Sequence, residues 1–210
     1  MAKHADEGRK SDSPRPNLRV LKREGGTAEG AVSSARSERV LPVYDATTLV
    51  GLCTLVHGAA IERTGDDGDV TVELPKLPEL LASVAVARCL TPIRLRGSEL
   101  KAIRKILQLT LGELAKCLDE RTAVETVSRW ESEAQPMGGY AEKLFRLMAC
   151  ERLQKLAPGI EYNASKISNL KVLDPWRVDA NYELPCIELC LIHMKEGGEI
   201  IDAWNAKKAA

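Results

Sequence analysis

The sequence has few aromatic side chains and no long apolar run. Only 4% of its 210 residues are Phe, Trp or Tyr, although 44% are apolar. The longest apolar runs break within a few residues, as at Ser83 in the stretch 80–87, so we expect no transmembrane helix. Residues 1–13 contain no apolar segment of the secretory type, and we therefore expect a cytoplasmic location without membrane contact.

The chain has no net charge, since 30 basic residues balance 30 acidic ones. This balance argues against a uniformly basic protein that coats nucleic acid. Residues 1–40 and 91–155 are nevertheless mildly basic, whereas 41–90 and 156–210 are mildly acidic. A local anion-binding face is therefore compatible with the sequence, but composition alone does not demonstrate one.

The six cysteines are scattered, and no CxxC pair occurs. We expect reduced thiols and no metal site, because a structural zinc site needs four ligands at characteristic spacings. Cys186, Cys190 and His193 would share a face if that segment were helical, but a fourth ligand is missing. No catalytic constellation and no cofactor motif is evident, so we expect a protein that is not an enzyme and has no cofactor.

The patterns divide the chain into four parts. Residues 1–43 offer few apolar anchors and are predicted to be a disordered tail. Residues 44–92 are predicted to form a small β-hairpin and helix, with strands at 47–56 and 70–74, a turn at Asp67-Gly68 and a helix from Leu77 to Arg88. Residues 93–156 carry helical periodicity, and 157–210 form a C-terminal extension. The predicted fold class is mainly α with α+β flanks.

Capping boxes mark two of the four or five short helices expected in residues 93–156. Thr110 with Glu113 opens a helix over 111–118, and Thr122 with Glu125 opens a helix over 123–132. In the extension, Leu184–Met194 is strand-like and Gly197-Gly198 turns it into a hairpin with 199–204. A helix at 186–194 remains an alternative, because the alternation is imperfect.

Two short helices joined by a tight turn are typical of a helix-turn-helix, whose second helix enters the major groove of DNA. That second helix would be Ala123–Ser132, with Val127 and Trp130 facing inward. The alternative is an ordinary helical bundle with a polar outer face. The residues predicted to contact DNA, through hydroxyl, carboxylate or guanidinium groups, are Thr110, Arg121, Thr122, Glu125, Thr126, Ser128 and Arg129.

Residues 95–148 resemble the Cro/C1-type (XRE) helix-turn-helix family. The matching pieces are Ile103-Arg104-Lys105, Thr110-x-x-Glu113-Leu114-Ala115, Val127-Ser128-Arg129-Trp130-Glu131 and Gln135-Pro136-Met137. Upstream pieces such as Val56-x-Gly58, Val72-x-Leu74-Pro75 and Leu95-x-Gly97-x-Glu99-Leu100 are similar to the MqsA/YgiT-like antitoxins and regulators. Together the two resemblances span residues 44–154.

The resemblance implies a dimeric DNA-binding domain behind a small N-terminal domain. It also implies a structural ion pair between Arg104 and Glu131. This chain departs from the family in lacking the zinc ligands, in a turn before Thr122 that is about two residues longer, and in Leu111 at a position that is often Gln.

The sequence therefore predicts a DNA-binding transcriptional regulator, a repressor that binds a palindromic operator in double-stranded DNA as a homodimer. The C-terminal extension is expected either to contribute to that dimer or to cover the helical domain. The alternative function is an antitoxin that binds a toxin protein and regulates its own operon.

Overall fold

A computed structural model describes residues 37–65 and 67–207. Most of the predicted tail, residues 1–36, lies outside these ranges. The strands are β1 (Glu38–Asp45), β2 (Thr54–Thr64), β3 (Val70–Glu73), β4 (Ile187–Glu196) and β5 (Glu199–Ala206). The helices are α1 (Thr47–Val50), α2 (Leu77–Leu90), α3 (Gly97–Ile106), α4 (Leu111–Leu118), α5 (Val124–Glu131), α6 (Gly139–Leu153) and α7 (Ala164–Ser168).

The five strands form one mixed sheet, which corrects the predicted fold class. Strand β2 pairs antiparallel with β1 and β3 and parallel with β4, and β4 pairs antiparallel with β5. The parallel ladder places Thr54 opposite Ile187 and His57 opposite Cys190. The two hairpins expected as separate flanks of a mainly α protein are therefore parts of a single sheet. This pairing joins distant segments, and no local periodicity encodes it.

The two predicted hairpins form at their predicted turns. A turn at Asp67-Gly68 lies between β2 and β3, and Gly197-Gly198 join β4 to β5 with both glycines at positive φ. The alternative of a helix at 186–194 is thereby excluded. The N-terminal end differs from expectation, because β1 takes up residues 38–43 of the predicted tail. Thr47–Val50 is a helical turn that ends at Gly51, so the strand expected to begin there starts at Thr54.

Helix α2 lies in the centre of the molecule and is mostly apolar, with no polar face towards solvent. A helix with no polar face is stable in water only when it is covered all round. One side of α2 packs against β4 and β5, where the indole Nε1 of Trp204 donates to the carbonyl oxygen of Lys76 at 3.2 Å. Another side packs against α6. The sheet and the helical segment therefore share one hydrophobic core through α2.

Cys53 and Cys186 form a disulfide at the start of the parallel β2–β4 ladder. This finding corrects the expectation that all six cysteines are reduced. The backbone N–H of Ile187 also donates to the carbonyl oxygen of Cys53 at 2.8 Å, so covalent and hydrogen bonds fix the same junction. Cys89, Cys117, Cys150 and Cys190 carry free thiols.

Candidate nucleic-acid interface

Helices α4 and α5 form the predicted pair of short helices and contact each other directly. Helix α4 begins at Thr110, whose hydroxyl accepts from the backbone N–H of Glu113 at 3.2 Å. The Glu113 carboxylate accepts in return from the backbone N–H of Thr110 at 2.8 Å, which completes the predicted capping box. This bond lowers the pKa of Glu113. The Thr110 hydroxyl is therefore engaged within the chain, at the exposed start of α4.

Helix α5 begins without the second capping box. Its N-cap is Ala123, and no side chain caps it, so Thr122 does not take the predicted role. The preceding turn uses other bonds, because the Asp119 carboxylate accepts from the backbone N–H of Arg121 at 3.1 Å. The Asp119 carbonyl oxygen accepts from the N–H of Thr122 at 2.9 Å. The longer turn thus closes on Asp119 and shifts the helix start by one residue.

Burial along α5 separates an inner from an outer face. Val127 is fully buried and Trp130 is 9% exposed, as the periodicity predicts. Among the residues predicted to contact DNA, those exposed on α5 or in its preceding turn are Arg121, Glu125, Ser128 and Arg129. Thr122 and Thr126 are half-buried. The outer face of α5 therefore presents a carboxylate, a hydroxyl and a guanidinium within five residues.

Arg104 holds α5 against α3. Its guanidinium donates from Nε to Oε1 of Glu131 at 2.6 Å and from Nη2 to Oε2 at 3.0 Å. A third bond runs from Nη1 to the carbonyl oxygen of Leu109 at 2.7 Å. The hydrogen bond to Glu131 raises the pKa of Arg104. Such a two-pronged contact fixes the angle between the helices as well as their distance.

Gly97 allows the same two helices to approach closely at the N-terminal end of α3. A Cβ at this position would lie 2.5 Å from the carbonyl oxygen of Glu131 and 2.6 Å from that of Trp130. No side chain fits there without moving the backbone. The N-terminus of α3 therefore packs directly on the C-terminal turn of α5.

Two fully buried arginines connect the helical segment to α2, and the sequence interpretation missed them. Arg88 donates from Nε to Oε1 of Glu99 at 2.5 Å, and Arg146 donates from Nη2 to Oε1 of Glu142 at 2.7 Å. Both also donate to the carbonyl oxygen of Ile93 in the α2–α3 connection. A signal existed for Arg88, because it continues the apolar helical spacing of α2, where a charge needs a buried partner.

The surface around α4 and α5 has mixed charge. Its exposed cations are Lys116, Arg121 and Arg129, and its exposed carboxylates are those of Glu113, Asp119, Glu120 and Glu125. Within the described part of the chain, neither Arg121 nor Arg129 makes an ion pair. The two guanidinium groups are therefore available to an outside anion.

No cluster of three or more His, Cys, Asp or Glu suited to a metal ion occurs in residues 37–65 and 67–207. Cys186 is in the disulfide, and His193 pairs with Asp202 across the β4–β5 hairpin, so Cys186, Cys190 and His193 do not converge. Over the same ranges, no helix has both the length and the apolar character needed to cross a membrane.

Comparison with known protein families gives a partial match. The Aca2/YdiL-like family model matches residues 95–173, which is less than half of the chain. The matched segment contains α3 to α7 and thus both α4 and α5. This regulator-like family is related to antitoxin and helix-turn-helix proteins. No curated protein and no solved structure matches the chain. The resemblances to the XRE family and to MqsA/YgiT-like proteins stay predictions.

Proposed function

We propose that this protein is a DNA-binding transcriptional regulator that uses α4 and α5 as its helix-turn-helix. The observation that supports this most is the outer face of α5, where Glu125, Ser128 and Arg129 are exposed while Val127 and Trp130 anchor the helix. A guanidinium without an internal partner is suited to bind guanine or a phosphate. The match of residues 95–173 to a regulator-like family points in the same direction.

The rigid mounting of α5 is the second support. Recognition of a base edge depends on hydrogen bonds with strict geometry, so the reading helix must be held in place. Arg104 and Glu131 fix α5 on α3, while the backbones of Gly97 and Glu131 meet at its C-terminal end.

The mixed charge of the surface makes a homodimer part of the proposal. A single copy with three exposed cations near α5 makes few phosphate contacts, and phosphate contacts supply most of the affinity for DNA. Two copies on a palindromic operator double those contacts. Repression follows if the operator overlaps a promoter. The role is one of binding and requires no catalytic residue.

The test is a titration of DNA with Arg129→Ala. A duplex selected from a random library by the unmodified protein serves as the operator, and a scrambled duplex serves as the reference. We expect Arg129→Ala to weaken operator binding about 5- to 150-fold if Arg129 reads a guanine. If it grips a phosphate, both duplexes lose affinity and the salt dependence becomes shallower.

Arg63→Ala is the matched control, since Arg63 is an exposed arginine on β2. Wild-type affinity and salt dependence in a folded Arg129→Ala protein would contradict the proposal. Sedimentation with and without the operator measures the expected two copies per duplex. The antitoxin alternative requires a toxin partner, and a toxin gene beside this one would favour it.

A further inference from the structure

A cleft of about 400 Å³ lies behind α5. Leu100, Trp130 and Met137 form an apolar floor, Trp176 forms one wall, and Arg94 and Arg96 lie at the rim. Its volume falls in the range of pockets that hold small organic molecules. An apolar floor with a few polar groups at the rim is also the usual composition of such pockets. The cleft involves none of the residues proposed to contact DNA.

The indole of Trp176 is fixed in position before any ligand arrives. Its Nε1 donates to the carbonyl oxygen of Tyr182 at 2.9 Å. The Tyr182 ring packs edge-on against it, with 5.8 Å between the ring centroids. The guanidinium of Arg96 lies 5.1 Å from the centre of the indole ring. A flat aromatic wall held by three contacts costs little entropy when a planar molecule binds to it.

The rim charges are balanced, and both arginines keep unused N–H donors. Glu133 accepts from Nε and Nη2 of Arg96 and from the backbone N–H of Gly97, all within 2.9 Å. Asp174 accepts from Nη1 of Arg94 at 3.1 Å. Within the described residues, Nη1 of Arg96 and Nε of Arg94 have no hydrogen-bond partner. A guanidinium has five N–H donors, so each arginine can still donate a hydrogen bond to one more anion.

We propose that this cleft binds a planar aromatic molecule with one carboxylate. The ring would lie between Trp176 and the apolar floor, and the carboxylate would take the unused N–H donors of Arg96 and Arg94. A cationic ligand fits less well, because Glu133 already has three donors and Asp174 pairs with both Arg94 and Arg177.

The indole N–H signals of the full-length protein, labelled with ¹⁵N, test this directly. Three probes are titrated: 1-naphthylacetate, 1-naphthylmethylamine with the same ring and the opposite charge, and acetate without the ring. We expect 1-naphthylacetate to shift the signals of Trp130 and Trp176 in a saturable way. Trp204, which donates to Lys76 on the far side of α2, serves as the internal reference and should not shift.

Arg96→Gln removes the charge at the rim and should weaken 1-naphthylacetate by about tenfold, the effect of losing a charge-assisted hydrogen bond. Arg63→Gln is the matched control, because Arg63 also forms an exposed ion pair with a glutamate, at 2.8 Å from Glu73. It should bind like the unmodified protein. Unchanged Trp204 chemical shifts in both variants show that the fold is retained.

Several outcomes would overturn this inference. They are the absence of saturable shifts at Trp130 and Trp176, equal binding of the amine and the carboxylate, equal binding by Arg96→Gln, or a Trp204 shift that follows the other two. None of these results depends on DNA, so a failure here is distinguishable from a failure of the proposed regulator function.

Discussion

The Arg104–Glu131 pair shows how a single contact determines the position of a whole helix. Both side chains are nearly covered, at 11% and 9% exposed, so neither charge is well hydrated if its partner is lost. We expect Arg104→Ala or Glu131→Ala to lower the free energy of unfolding by about 3–5 kcal/mol, as is typical for a broken buried pair. Urea denaturation followed by circular dichroism measures the loss.

The double variant Arg104→Met with Glu131→Leu separates charge burial from packing. Replacing both partners by apolar side chains leaves no unpaired charge, so this variant should be more stable than either single one. Arg63→Ala on β2 is the exposed control and should change the stability by less than about 1 kcal/mol. Additive losses in the double variant would show that the two residues do not act as a pair.

The two capping boxes predicted from sequence provide a matched pair of residues. Thr110 caps α4, whereas Thr122 caps nothing because Ala123 is the N-cap of α5. We expect Thr110→Ala to cost about 1 kcal/mol of unfolding free energy and Thr122→Ala to cost close to nothing. Denaturant midpoints of the two variants against the unmodified protein provide the comparison. Equal losses would mean that both threonines cap a helix.

The cap on α4 should also depend on pH. The hydrogen bond from Thr110 lowers the pKa of Glu113 below its ordinary value of 4.5. A group whose pKa is lowered in the folded state contributes its full stabilisation above the ordinary pKa and loses it as the pH falls through the folded value. The stability difference between the unmodified protein and Glu113→Gln should therefore shrink below pH 4.5. A difference that stays constant down to pH 3 would exclude the linkage.

At the scale of whole elements, the sequence predicted the local turns and caps but not the pairing of strands that are distant in the chain. The turns at Asp67-Gly68 and Gly197-Gly198 and the cap at Thr110 each depend on neighbouring residues, so local patterns predict them. The parallel ladder between β2 and β4 depends on two strands that meet only in the folded chain. The sequence pattern of each strand does not predict which other strand it pairs with. The fold class was wrong for that reason.

The candidate interface follows the same division. Burial of Val127 and Trp130 and exposure of Arg129 follow from helical periodicity, so the sequence was sufficient for them. The start of α5 was misplaced by one residue because the longer turn closes on Asp119, so that Ala123 and not Thr122 is the N-cap. The cleft combines residues near 95, 130 and 176, and only the tertiary structure brings these three segments together.

At the scale of the whole molecule, α2 makes the sheet and the helical segment interdependent. Trp204 of β5 is fully buried and its indole donates to Lys76 at the start of α2. The C-terminal hairpin therefore covers α2, a helix of the predicted N-terminal unit, within one copy of the chain. Its part in a dimer stays a prediction.

The disulfide between Cys53 and Cys186 joins the N-terminal strands of the sheet to the C-terminal hairpin across a sequence separation of 133 residues. A cross-link that closes so long a loop restricts the unfolded chain strongly, and the entropy of that restriction stabilises the fold by about 2–5 kcal/mol.

We expect Cys53→Ser, or reduction of the unmodified protein with a phosphine, to lower the thermal midpoint by several degrees. Cys117→Ser removes a free thiol, so its thermal midpoint should equal that of the unmodified protein both with and without the reductant. The reductant should have no further effect on Cys53→Ser, because the bond is already absent there. A midpoint that is insensitive to reductant in the unmodified protein, with Cys53→Ser equally stable, would show that the parallel ladder alone holds the two halves of the sheet together.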